Sequence, residues 1–118
     1  MNFKAIPTFR IPNEQQGKDY YIDFLGFSVD WEHRFAADEP IYMQVSLNGL
    51  VLHLSENIRF QPGAVVFVET TGIDEFHAEL TGKESDYIVP PVAVTPWGTK
   101  QLEIEDPFGN WLRFNETL

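Results

Sequence analysis

Hydrophobic and polar positions alternate along most of the chain, and two stretches break the period. Phe3 to Ile11, FKAIPTFRI, reads as a first strand with Pro7 inside it. A proline cannot donate to a ladder, so this strand lies at a sheet edge or bends there. Pro12-Asn13 ends it, and Asn13 is placed to cap a helix with Glu14 in its first turn. The period then lengthens: Tyr20, Tyr21, Phe24 and Leu25 recur at three-to-four spacing, the inner face of a helix reaching about Leu25. Gly17 weakens that helix but permits close packing, and Gly26 stands where a C-terminal cap is expected. Alternation returns in Phe27, Val29 and Trp31, predicting a strand over Phe27–Phe35. After a polar connection at 36–40, Ile41, Met43, Val45 and Leu47 share one side of the next strand. Asn48-Gly49 predicts a two-residue hairpin turn, because both residue types accept the positive φ it needs. Leu50–Ser55 is the return strand, and Glu56–Pro62 a loop.

The second half repeats this succession. Gly63–Glu69 is an apolar strand, and Thr71 with Asp74 resembles a capping box opening a short helix over Gly72–Leu80. Tyr87–Val94 is broken by Pro90-Pro91 and reads as an irregular edge strand. Pro96-Trp97-Gly98 interrupts any regular element and sets a large ring at the break. From Lys100 to Glu105, Leu102 and Ile104 face one way and Gln101, Glu103 and Glu105 the other. Asp106-Pro107-Phe108-Gly109 is a strong turn, and Trp111–Asn115 returns as the last strand. Each half is thus strand, helix, strand, strand, strand. NGLVLHLSE aligns with FGNWLRFNE, matching Gly49 with Gly109, Leu52 with Leu112, Leu54 with Phe114 and Glu56 with Glu116. The expectation is an α+β fold: one domain over 1–118 built from βαβββ modules at 1–60 and 61–118, with curled sheets forming one cup.

Composition narrows the function. There are 118 residues and no cysteine, which excludes disulfides and a thiol nucleophile. The net charge of −10, from 18 acidic and 8 basic residues, repels nucleic acid phosphates and favours cations. No apolar run is long enough to span a membrane and no signal-like segment opens the chain, so a cytoplasmic location is expected, with neither membrane nor nucleic acid as partner. Ten Phe, four Tyr and three Trp are plentiful, and most are expected in the core.

LGF after the first helix and DPxGN in the last turn, within a doubled βαβββ plan, resemble the vicinal oxygen chelate superfamily, which includes glyoxalase I. AIPTFRI, FLGFSVDW, LHLSE and PWGTKQLEIEDPFGNWLRF resemble more closely its bleomycin resistance branch. The resemblance covers nearly the whole chain. It implies the glyoxalase/bleomycin resistance fold and a strand-swapped homodimer with ligand sites shared between chains. It also implies that Trp97 matches the tryptophan of the PWG motif, that Trp31 and Phe35 match aromatic positions after LGF, and that Phe67 lies in an aromatic strand. Val65 stands where that branch carries a further tryptophan.

Superfamily enzymes hold a divalent metal at matching strand positions of the two halves. By motif those positions are His53 and Arg113 on the last strands, with first-strand positions near Ile6 and near Gly63 or Ala64. Arginine, isoleucine, glycine and alanine offer no side-chain ligand, so no metal and no other cofactor is expected. Alternation sets His53 opposite Leu52 and Leu54, and Arg113 opposite Leu112 and Phe114, so both point away from the apolar face, either as polar handles in a cavity or as solvated or hydrogen-bonded strand residues, Arg113 then pairing with Glu103 or another acid. The expected ligand site is Trp31, Phe35, His53, Phe67, Trp97, Trp111 and Arg113, taking a planar or cationic antibiotic-like small molecule by stacking. The alternative is a divergent glyoxalase- or dioxygenase-like enzyme with His53 or His33 as general base and Arg113 as charge stabiliser.

Overall fold

All 118 residues are described by the structure, a computed structural model. They group into two compact units: 1–64 with the turn 107–110, and 65–106 with 111–118. The first runs β1 (Thr8–Arg10), α1 (Glu14–Lys18) continued by a π-helical segment (Asp19–Phe24), β2 (Ser28–His33), β3 (Tyr42–Leu47) and β4 (Leu50–Ser55). The second runs β5 (Val65–Glu69), α2 (Ile73–Thr81), β6 (Ala93–Val94), β7 (Thr99–Glu105) and β8 (Trp111–Thr117). Both units are βαβββ. Their four-stranded mixed sheets are ordered β1-β4-β3-β2 and β5-β8-β7-β6, each with one parallel pair, β1–β4 or β5–β8.

The matched glutamates reveal what the duplication preserves. Glu56 Oε2 accepts the Glu14 N–H at 2.7 Å, and Glu116 Oε1 accepts the Ile73 N–H at 2.9 Å. Each supplies a carboxylate, Glu56 from just after β4 and Glu116 from the end of β8, to a first-turn amide that has no partner inside its helix. Asn13 caps α1 as expected, its Oδ1 accepting from Gln16 N at 2.8 Å. Thr71 does not cap α2. That helix is entered through Gly72 at φ 74°, without a side-chain cap, and Glu116 takes over the role.

Several strands are shorter than the sequence pattern suggests, including β2, which spans Ser28–His33 rather than Phe27–Phe35. β1 holds only Thr8–Arg10, because Pro7 accepts the His53 N–H through its carbonyl at 2.9 Å but has no N–H to return. Met1 to Ala5 lie exposed outside the sheet. β5 begins at Val65, since Gly63 sits at φ 110° and gives its N–H to Asn110 Oδ1. Pro90-Pro91 reduces β6 to two residues. The first helix reaches Phe24 as expected, but its second part is π-helical, with Leu25 N bonded to Tyr20 O. The wider turn brings the adjacent Tyr20 and Tyr21 onto one inner face, where both are buried.

In the first unit, Phe9, Tyr21 and Phe27 form an aromatic spine, with centroids 6.1 and 5.9 Å apart along it. Met43, Val45, Leu52 and Leu54 are fully buried. At roughly 1.5–3 kcal/mol per side chain, a one-residue slip exposing these four would cost on the order of 6–12 kcal/mol. That cost fixes the opposite face, which carries Thr8, Tyr42, Gln44 and His53. The second unit buries Ile73, Leu80, Leu102, Ile104, Leu112 and Phe114, with Phe76 against Phe114 at 5.1 Å between centroids.

Candidate functional site

The open face of the first sheet is built by register. Thr8 pairs with His53, His53 with Gln44, and Gln44 with Trp31. Trp31 is there because of a bulge. Val29 pairs with the buried Val45, and simple alternation would put Trp31 on that same core face. The ladder instead shifts between Val29 and Trp31, leaving Asp30 as the extra residue. Trp31 and His33 move to the open face and Glu32 to the other side, where it meets Lys18. Asp30 anchors the shift by accepting from Gln44 Nε2 at 3.0 Å and from Ser46 Oγ at 2.9 Å.

A directed chain of hydrogen bonds follows from that carboxylate. Gln44 donates its amide to Asp30, so its Oε1 faces His53 Nε2 at 3.0 Å and accepts its proton. His53 Nδ1 is then an acceptor for the Tyr42 hydroxyl at 2.8 Å, and Tyr42 accepts from Thr8 Oγ1 at 3.1 Å. Both ring nitrogens of His53 are occupied, and the ring is held neutral. Burial alone lowers its pKa from the ordinary histidine value. Aromatic rings surround it: Trp31 and Tyr42 are nearly parallel at 14° with centroids 6.1 Å apart, and His53 stands edge-on to Trp31 at 5.2 Å. Beside them opens a cleft of ≈ 390 Å³ whose walls include Trp31, His33, Phe35, Tyr42 and Phe60, with Glu39 and Arg59 at its charged margin. Phe35 is 90% exposed and Trp31 43% exposed, so their apolar surface faces solvent.

The second unit has an equivalent open face of different chemistry. Phe67 pairs with Arg113, and Arg113 with Glu103. The guanidinium donates from Nε to Glu103 Oε2 and from Nη2 to Gln101 Oε1, both at 3.1 Å, and lies 5.6 Å from the Phe67 ring centroid. Asn115 extends the row, donating to Gln101 and accepting from Thr99 Oγ1 at 2.7 Å. Phe67, Glu69, Thr99 and Asn115 border a second cleft of ≈ 610 Å³. Trp111 is half-buried on β8 opposite Val65, and Trp97 is 58% exposed in the turn before β7.

Of the expected site residues, Trp31, Phe35 and His53 thus gather in the first unit. Phe67 and Arg113 meet in the second, with Trp111 on the same face and Trp97 in its turn. Tyr42 and Phe60 are not among the expected residues. Tyr42 carried a signal, being the only aromatic among the outward positions of a strand whose inward ones are Ile41, Met43 and Val45. Phe60 lies in a loop and carried none.

A family model described as glyoxalase superfamily protein matches residues 1–118. The chain belongs to the glyoxalase superfamily. Among solved structures, a copper(II)-bleomycin complex of the bleomycin-binding protein from bleomycin-producing Streptomyces verticillus is 23% identical with a TM-score of 0.72, covering 100% of this chain and 98% of its own. An antibiotic-binding protein from Streptomyces sp. CB03234 is 23% identical with a TM-score of 0.70, covering 100% and 99%. A glyoxalase-related enzyme from Clostridium phytofermentans is 18% identical with a TM-score of 0.76, covering 100% and 97%. These likenesses show the glyoxalase/bleomycin resistance fold. No curated protein matches the sequence.

The metal of the superfamily's enzymes can be tested against these strands. Register sets Thr8 beside His53 and Phe67 beside Arg113, in place of the expected Ile6 and Gly63 or Ala64. Thr8 and His53 are consumed by the hydrogen-bond chain, Phe67 has no donor atom, and Arg113 is a cation. No group of three or more His, Asp or Glu side chains stands together as a metal cluster. The residues present do not fit the superfamily's divalent metal. No helix is long and apolar enough to cross a membrane.

Proposed function

We propose that this chain is a binding protein that sequesters a planar or cationic antibiotic-like small molecule on its aromatic open faces, working as a homodimer in the cytoplasm. The observation that carries the reading is the Trp31–Tyr42–His53 group beside the ≈ 390 Å³ cleft, where the exposed Trp31 and the half-buried Tyr42 flank a histidine fixed at both nitrogens. Exposed, pre-positioned aromatic faces suit stacking, and a few fixed polar groups orient what is stacked. Fold neighbours that bind bleomycin or another antibiotic support the same direction.

The ligand surface is assigned to Trp31, Phe35, His53, Phe67, Trp97, Trp111 and Arg113, with Tyr42 and Phe60 added. Phe3 at 91% exposure, on a segment outside the sheet, supports pairing with a second copy that covers it. The enzymatic alternative has less support. Each ring nitrogen of His53 already has a partner, and Arg113 is already paired with Glu103 and Gln101. Titrating chelator-treated protein with metal-free bleomycin while following tryptophan fluorescence tests the reading. Saturable quenching that added zinc or nickel leaves unchanged is expected. Binding that appears only after metal is restored would overturn the metal-free reading.

A further inference from the structure

Arg10 lines a cleft of ≈ 400 Å³ in the first unit, together with Pro12, Gln16, Pro62, Pro107 and Phe108. Four of the eight basic residues, Lys18, Arg34, Lys100 and Arg113, form ion pairs with carboxylates, whereas Arg10 has no carboxylate partner although the chain carries 18 acidic residues. The guanidinium is held by backbone alone: Nε donates to Ile11 O at 3.1 Å and Nη1 to Phe60 O at 3.5 Å. Its own carbonyl accepts from Asn110 Nδ2 at 3.0 Å, so the residue is fixed at both ends. Nη2 keeps its donors for a ligand. Gln16 adds another donor, because its Oε1 is occupied by Asn13 Nδ2 at 2.6 Å and its Nε2 is the remaining end. The other walls are three prolines and the Phe108 ring, which offer apolar surface and no side-chain acceptor.

Fixed donors facing flat apolar walls, with a charge that nothing inside the chain neutralises, define an anion site with an aromatic companion surface. We propose that this cleft binds a small planar carboxylate: the carboxylate on Arg10 and Gln16, the ring between Phe108 and the prolines. The site is separate from the aromatic cleft of the proposed sequestration, so either can fail alone.

The test is a nuclear magnetic resonance titration of the whole chain with benzoate and, separately, with uncharged benzamide. Benzoate should shift the Arg10 Nε–H and Phe108 ring signals saturably, and benzamide should bind at least tenfold more weakly. Arg10→Gln should weaken benzoate at least tenfold. Gln16→Glu, a change at an exposed position that sets a repelling carboxylate beside Arg10, should do the same and serves if Arg10→Gln does not fold. Equal response to benzamide, benzoate shifts confined to Trp31 and Phe60, no saturable shift, or unchanged affinity in folded Gln16→Glu would each overturn the proposal.

Discussion

His53 is held between Tyr42 and Gln44, and this determines how it responds to acid. Its folded pKa lies below the ordinary value of 6.5 because burial penalises the imidazolium. The unfolded chain therefore takes up a proton first as pH falls. Stability from the neutral ring is fully present above the unfolded pKa and is lost as pH drops below about 6.5 toward the folded value. Urea unfolding at pH 7.5 and pH 5.5 should show wild type losing more stability across that interval than His53→Gln. Equal losses in the two proteins would show that His53 does not titrate in this way. At this scale the sequence showed which way some candidate residues face. Alternation alone turned His53 and Arg113 away from the apolar face, and the Pro96-Trp97-Gly98 break set Trp97 in a turn. The partners of His53 were not legible, because Tyr42, Gln44 and Asp30 reach it only through strand pairing.

Gly17 shows how an element is fitted to its neighbour. A Cβ there would lie 2.6 Å from Ile11 Cδ1 and 3.3 Å from Ile11 Cβ, and Ile11 is fully buried with little freedom to move. Overpacking costs about 1–3 kcal/mol, while replacing helical glycine by alanine returns about 0.8–1 kcal/mol. Gly17→Ala should therefore lower stability by about 1 kcal/mol in chemical denaturation. A gain in stability would mean that Ile11 repacks freely. Local chemistry announced the Asn48-Gly49 turn, with φ of 49° and 87°, and the Asp106–Gly109 turn. The bulge at Asp30 and the π-helical segment had no comparable local signature. Both depend on which residues must face the core, and Trp31 reaches the open face only because Asp30 is left over.

At the scale of the whole molecule, the doubled plan was readable because Glu56 and Glu116 each serve a helix start as well as ending a strand motif. The unpaired features are the exposed ones: Phe3 outside β1, and Val65 and Phe67 at 60% and 51% exposure on β5. A homodimer would cover such surface. Sedimentation equilibrium should give twice the 13.6 kDa chain mass at micromolar concentration, and removing residues 1–6 should weaken association. A monomer at every concentration would contradict the dimer and the shared site. The central claim is that exposed aromatic rings on the open faces and in the turn before β7 bind a planar ligand by stacking. Its most direct test is calorimetric titration of wild type, Trp31→Ala and Trp97→Ala with metal-free bleomycin, alongside their thermal unfolding. Each half-exposed ring should be removable with a stability change within about 1 kcal/mol. Saturable binding to wild type and at least a tenfold loss of affinity in each variant, equivalent to about 1.4 kcal/mol, are expected. Unchanged affinity in variants that remain folded, or lost affinity explained entirely by unfolding, would contradict the claim.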